Sequence, residues 1–191
     1  MTTPLDELTQ HVRPGGPAET PCPGIEIVPG DWSGCVALDS SGQPSPMDCP
    51  TCEGSHVIVS PQAAAVREAL WEECIDVKQR EIFTSGNAMK AKPCIGEGCD
   101  VCESGRGYAP RSRAEAALLL PDALAKIHTM PYGGISIELC HYKYVSREFW
   151  TCELKQREGG RFSWRADGEG NNWLDALSAV ALAVLKAEEK P

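Results

Sequence analysis

The chain has 191 residues, with 18 Lys+Arg against 27 Asp+Glu, a net charge of −9, 42% apolar residues, 6% aromatics, 18 Gly, 15 Pro and 10 Cys. That length allows one domain, or two small ones sharing a core large enough that the cysteines need not all be staples. No apolar run approaches about 18 residues, which excludes a transmembrane helix, and the start Met1-Thr-Thr-Pro-Leu-Asp-Glu-Leu8 is acidic and polar where a secretory leader would be basic and then apolar, so no leader is expected.

The expected location is therefore the cytoplasm and no membrane partner is expected. Thiols stay reduced there, so the cysteines point to metal or burial and not to a disulfide framework. Charge is uneven along the chain. Residues 1–77 hold 2 basic and 12 acidic side chains, 78–113 hold 7 and 4, and 114–191 hold 9 and 11. An acidic first third favours a protein partner with a basic surface, or simply keeps the surface soluble.

Three regions follow from composition: 1–48, 49–110 and 111–191. The first is dense in Pro and Gly. Thr3-Pro4 predicts a capped helix through His11. Ile25–Val28 and Cys35–Leu38, separated by a stretch opening on Pro29-Gly30-Asp31, predict a small hairpin. Ser60-Pro61 opens a helix fading near Phe83, with Val66, Leu70, Cys74 and Val77 on one apolar stripe. Ser112-Arg-Ala-Glu115 is a capping box for the next helix. Pro121 predicts a break or kink before Asp122–Ile127. Three strands are expected at Ile135–Tyr144, Glu148–Gln156 and Arg161–Arg165, the last two joined through Gly159-Gly160. A final helix after Asn171-Asn172 presents Leu174, Leu177, Val180, Ala181, Val184 and Leu185 on one face. The fold class is α+β: a zinc-stapled central module, then a C-terminal helix, three-stranded antiparallel sheet and helix.

Two motifs carry chemistry: Cys49-Pro-Thr-Cys52-Glu-Gly54 and Cys99-Asp-Val-Cys102-Glu-Ser-Gly105-Arg-Gly107-Tyr108. Two intervening residues let both sulfurs face one ion, and the trailing glycine permits the positive backbone angle of such a knuckle. Two knuckles supply four thiolates, the set of a closed structural zinc site formed by Cys49, Cys52, Cys99 and Cys102. The 46 residues between the pairs exceed the usual spacing of roughly 15–20, which a helix inserted between the knuckles explains. The motifs resemble the Cys-x-x-Cys-x-Gly-x-Gly repeats of the cysteine-rich domain of J-domain co-chaperones. That resemblance covers two repeats, without a J-domain, and implies the metal chemistry alone.

Other assignments stay open. Cys94, Cys99 and Cys102 have the Cys-x4-Cys-x2-Cys spacing of plant-type [2Fe–2S] ferredoxins, with Cys140 as a fourth ligand. An iron–sulfur redox protein is thus a third functional reading. Cys22 and Cys35 can form a second metal site with His56. Cys74, Cys140 and Cys152 are expected to be small buried hydrophobes, and His141 a surface or satisfied histidine. Lys90, Lys92, Arg106, Arg111 and Arg113 form a candidate nucleic-acid contact around the second knuckle.

The helix–three-strand–helix order, ending in Gly168-Glu-Gly170-Asn-Asn-Trp-Leu-Asp-Ala-Leu-Ser-Ala-Val-Ala-Leu182, is similar to the double-stranded RNA-binding domain. Where that family contacts phosphate with paired lysines, Asn171, Asn172 and Asp175 stand here. The same stretch is also similar to small phage-encoded α/β sandwich proteins. No P-loop, Gly-x-Ser-x-Gly, His-Glu-x-x-His or zinc-deaminase motif occurs, and a zinc held by four thiolates has no open coordination position. The expected function is a non-catalytic zinc-binding regulator, phage-encoded, docking on a bacterial host's protein complex as inhibitor or adaptor. The alternative is a nucleic-acid-binding zinc-finger protein.

Overall fold

Helix α1, Pro4–Val12, begins at Thr3, whose side chain accepts from the Asp6 amide while the Asp6 carboxylate accepts from the Thr3 amide. In the computed structural model the described residues are 2–24, 26–28, 31–32, 35, 37–38, 44–45, 49, 51–52, 55–74, 102, 107–127, 134–158 and 161–188. Strand β1 is Glu19–Pro21, β2 Glu26–Val28, β3 Asp31–Trp32, β4 Ala37–Leu38, β5 Pro44–Ser45 and β6 Val57–Val59. Helix α2, Pro61–Leu70, leads into β7, Trp71–Glu73, and β8 is Tyr108–Pro110. Helix α3 spans Arg113–Ile127, β9 Gly134–Lys143, β10 Glu148–Glu158, β11 Arg161–Gly170, and α4 Trp173–Glu188. The class is α+β, with the expected C-terminal helix, antiparallel sheet and helix, the sheet in the order β11-β10-β9.

One apolar core joins both ends of the chain. Cys152, Leu154 and Ala166 form the inner face of the sheet, beneath Leu174, Leu177, Val180, Ala181 and Leu185 of α4. Leu5, Leu8 and Val12 of α1 pack on α4, and Val66 and Leu70 of α2 meet Leu120 and Leu124 of α3 in the same cluster. Every residue of the predicted α4 stripe is buried. The helix sits so close to β11 that a Cβ on Gly168 would lie 2.4 Å from the Ala176 carbonyl oxygen and 2.7 Å from the Val180 nitrogen.

Four expectations need correction. Helix α2 ends at Leu70, because Trp71 turns extended and β7 pairs with β8. The Trp71 indole is held by Nε1–H donating to the Thr9 carbonyl at 3.0 Å. Strand pairing thus removes Cys74 from the stripe, and Val77 lies outside the described residues. Pro121 does not break α3, which runs through it: the proline gives up its own amide hydrogen bond, while Leu120, Ala123 and Leu124 bury the turns on either side. The predicted N-terminal hairpin is replaced by two shorter ladders, β2 with β3 and β4 with β5. Cys140 is exposed, lying on the outer face of the edge strand β9, whereas Cys152 on the inner face is buried. Burial pushes the Cys152 thiol up to about 11, an unreactive group.

Arg67 fastens α2 to the start of the chain. Its Nε donates to the Val12 carbonyl at 2.7 Å and its Nη2 reaches Glu19 Oε1 at 2.9 Å, occupying the C-terminal carbonyls of α1. The predicted capping box at Ser112 forms: Glu115 accepts from the Ser112 amide and hydroxyl, each at 3.1 Å.

Gly168→Ala should lower stability by about 1–3 kcal/mol through overpacking against α4, read from the midpoint of urea unfolding. An unchanged midpoint would mean that α4 rides higher on the sheet.

Hydrogen bonds from Thr3, reinforced by Arg113, hold the Asp6 carboxyl below its ordinary 3.8, and those from Ser112 hold Glu115 below 4.5. Both are more acidic folded than unfolded, so their contribution is complete above the ordinary values and drains away as pH falls through the depressed ones. Asp6→Asn with Glu115→Gln should flatten that acid limb in a series of unfolding curves; an unaltered slope would place the acid sensitivity elsewhere.

Candidate metal centre

Strands β1 and β6 pair antiparallel through Glu19↔Val59, Thr20↔Ile58 and Pro21↔Val57. They close the loop between Cys22 and His56. Cys22 is the first residue beyond the ladder, and its amide donates to the His56 carbonyl at 3.0 Å. On the returning arm, the Ser55 amide donates to the Cys52 carbonyl at 2.9 Å and its hydroxyl donates to the same oxygen at 2.7 Å. His56 then takes φ 61°, the left-handed turn that aims the chain into β6.

At the mouth of this ladder Cys22, Cys35, Cys49 and Cys52 come together, all four sulfurs within 4.8 Å of one another. Cys22 and Cys49 Sγ are 3.8 Å apart, and Cys35 and Cys52 Sγ 3.1 Å. A regular tetrahedron of sulfurs about 2.3 Å from a central ion has edges of about 3.8 Å. The first pair already has that spacing, and seating an ion would spread the second. Three of the four are buried and Cys35 is half-buried: Cys49 is 1% exposed, and Ile58 of β6 packs against the set. The Gly24 amide points at Cys22 Sγ at 3.4 Å, and the Thr51 hydroxyl donates to the Gly24 carbonyl at 3.0 Å, tying the Cys22 turn to the Cys49–Cys52 turn.

Burial pushes the Cys22 thiol above its ordinary 9.0, while hydrogen bonding to Cys52, with burial, raises Cys35. The physical cause is simple: crowded sulfurs away from water cannot all ionise without a cation among them. A divalent ion reverses the preference and displaces the protons, so uptake tightens as pH rises. The four cysteines can therefore hold a metal ion.

The ligand set expected from the sequence changes in part. Cys49 and Cys52 share their site with Cys22 and Cys35, and Cys102 is not among them. Cys102 belongs to a different buried cluster, packed with Cys74 and Ala109, while Cys94 and Cys99 lie outside the described residues. His56 is not in the cluster; its exposed side chain is left over when its carbonyl takes the Cys22 amide. Loop length was the available signal. Only 13 residues separate Cys35 from Cys49, against 46 between the two Cys-x-x-Cys pairs, and shorter loops close at lower entropic cost. Cys140 joins no group of metal-ligating side chains among the described residues.

Of the basic residues expected to contact nucleic acid, Lys90, Lys92 and Arg106 lie outside the described residues. Arg111 pairs with Glu72 at 3.3 Å and donates from Nε to the Glu68 carbonyl. Arg113 reaches Asp6 at 3.5 Å and the Thr3 hydroxyl at 3.2 Å. No helix among the described residues is long and apolar enough to cross a membrane. No family model, curated protein or solved structure matches the chain.

Cys35→Ser should abolish metal retention by this site, whereas His56→Gly should keep it and ease the backbone at the positive φ. Metal content after gel filtration checks both. Loss of metal in His56→Gly alone would restore the imidazole as a ligand.

Proposed function

We propose that the chain is a non-catalytic zinc-binding interaction protein whose partner is a protein with a basic surface. The observation that carries the first half is the largely buried set of Cys22, Cys35, Cys49 and Cys52. Four soft sulfur donors within 4.8 Å of one another suit zinc, and a tetrahedral set of four would saturate it, leaving no position for a water or substrate. Apparent binding energies of structural zinc in small zinc-finger peptides reach about 10–16 kcal/mol, comparable with the whole net stability of a domain at about 5–15 kcal/mol. Such an ion organises the loop between β1 and β6 and performs no chemistry.

The partner's character is supported by the outer face of the C-terminal sheet. Glu138, Glu153 and Asp167 lie directly across from one another on β9, β10 and β11. The next row is Cys140, Thr151 and Glu169, and together these residues line an open groove of about 460 Å³. Like charges in register repel, and Lys155 answers them by pairing with Glu138 at 2.8 Å and with Glu153. Toward the β9–β10 turn the groove ends in an aromatic cluster. Tyr142 and Phe149 stack at 5.3 Å, Tyr144 is 60% exposed, and Arg147 lies 4.5 Å over the Phe149 ring. Carboxylates flanked by exposed aromatics suit a lysine- or arginine-bearing protein segment, through charge and cation–π contact. Nucleic acid is the second reading: phosphate would have to displace the carboxylate partners of both Arg111 and Arg113, as a basic segment would have to displace Lys155 from Glu138 and Glu153.

The test is equilibrium binding of the zinc-loaded chain to a lysine-rich peptide and to single- and double-stranded DNA and RNA. Peptide binding that weakens with added salt and falls in Glu153→Gln/Asp167→Asn supports the reading. Nucleic-acid binding that weakens with salt and is lost in Arg113→Glu would contradict it.

A further inference from the structure

Two successive stretches of the chain are built to one plan. In the first, α1 leads through β1 to a cysteine-bearing loop and back through β6 to the cap of α2 at Ser60. In the second, α2 leads into β7, a cysteine-bearing stretch of sequence follows, and β8 leads to the cap of α3 at Ser112. Each ladder is antiparallel and three residues long, Glu19–Pro21 with Val57–Val59 and Trp71–Glu73 with Tyr108–Pro110.

The correspondence extends to single atoms. Directly beyond the outgoing strand stands a buried cysteine, Cys22 in one unit and Cys74 in the other. The Cys22 amide donates to the His56 carbonyl at 3.0 Å, and the Cys74 amide to the Gly107 carbonyl at 2.7 Å. Both acceptors precede the returning strand, and both have positive φ, 61° and 79°. The middle residue of the returning strand packs on the sulfurs: Ile58 against Cys22, Cys49 and Cys52, and Ala109 against Cys74 and Cys102. Along the chain the order is also the same: a cysteine at the ladder, a second within the loop, then Cys-x-x-Cys-Glu shortly before the turn. The members are Cys22, Cys35, Cys49 and Cys52 in the first, and Cys74, Cys94, Cys99 and Cys102 in the second.

We infer that Cys74 and Cys102, at the mouth of the β7–β8 ladder, are two ligands of a second tetrathiolate zinc centre, for which the sequence offers Cys94 and Cys99 as the other two. The geometry supplies Cys74 and Cys102, the counterparts of Cys22 and Cys52, already packed together. Chain order supplies the other two. Cys99 is tethered to Cys102 through two residues, the spacing that lets both thiolates reach one ion. Zinc replaces the thiol protons, and no electron is transferred. Helix α2 then stands between two metal centres, one beyond each of its flanking ladders.

The test is zinc content and Co²⁺ titration of the full-length protein. Two zinc ions per chain are expected, and two equivalents of Co²⁺ with the absorption of tetrathiolate sites. Cys74→Ser and Cys22→Ser should each reduce the count from two to one, while Cys152→Ser, a buried thiol outside both loops, should keep two. If Cys74→Ser does not fold, the Co²⁺ end-point of the unsubstituted chain decides alone. One equivalent, or a Cys74→Ser protein that still holds two, would overturn the inference. So would a brown protein carrying iron and sulfide.

Discussion

Four sulfurs brought within one ion's reach, at the mouth of a three-residue ladder, decide how the first part of this molecule is ordered. The β1–β6 pairing by itself is a two-stranded fragment, too small for independent stability in water. Among the described residues, the buried cysteines of its loop pack together with Ile58 of β6 against them. What fixes Cys22 against Cys49 and Cys52 is the conjunction of the Cys22 amide bound to the His56 carbonyl, the Ser55 turn and the tie from Thr51 to Gly24. A cation at the centre would turn that weakly held convergence into a closed unit, because the crowded thiols cannot all ionise without it and would coordinate it as thiolates.

The rest of the fold supplies a rigid frame for that unit. Helix α4 closes on β10 and β11 at glycine contact and receives α1 on its other side, so the N-terminal helix is anchored to the C-terminal layer. Lys186 adds an ion pair to Glu7 at 2.7 Å across that same junction. Arg67 carries the anchoring onward by binding both the end of α1 and Glu19 of β1. The ladder therefore springs from a fixed base, and the cysteine turns lie at its far end. The acidic, aromatic-tipped outer sheet face belongs to the C-terminal layer. In the proposed function, metal and partner surface are thus separate elements joined through one core.

Much of the architecture was legible wherever a local rule and the core agreed. The caps at Thr3, Ser60 and Ser112 form, and the α4 stripe from Leu174 to Leu185 is buried as its spacing predicts, because capping and amphipathic periodicity need only neighbouring residues. The misjudged positions are those where a distant partner intervenes. Trp71 leaves the helical pattern to pair with Pro110. Pro121 stays helical because the core holds both of its turns. Cys140 is exposed because an alternating strand gives neighbouring cysteines on paired strands opposite faces. The cysteine motif pointed to a metal site, and Cys49 and Cys52 do sit in a group that could hold an ion, but it did not name Cys22 and Cys35 as their neighbours. Cys-x-x-Cys fixes how two sulfurs point, whereas the identity of the other two ligands depends on which strands pair, and β1 and β6 are each too short to announce themselves in the sequence.

The most direct measurement is an anomalous-difference map at the zinc absorption edge, from crystals of the full chain. A peak about 2.3 Å from the sulfurs of Cys22, Cys35, Cys49 and Cys52 together is the predicted result. A map with no peak among those four sulfurs, or with Cys49 and Cys52 sharing their ion with Cys102, would contradict it.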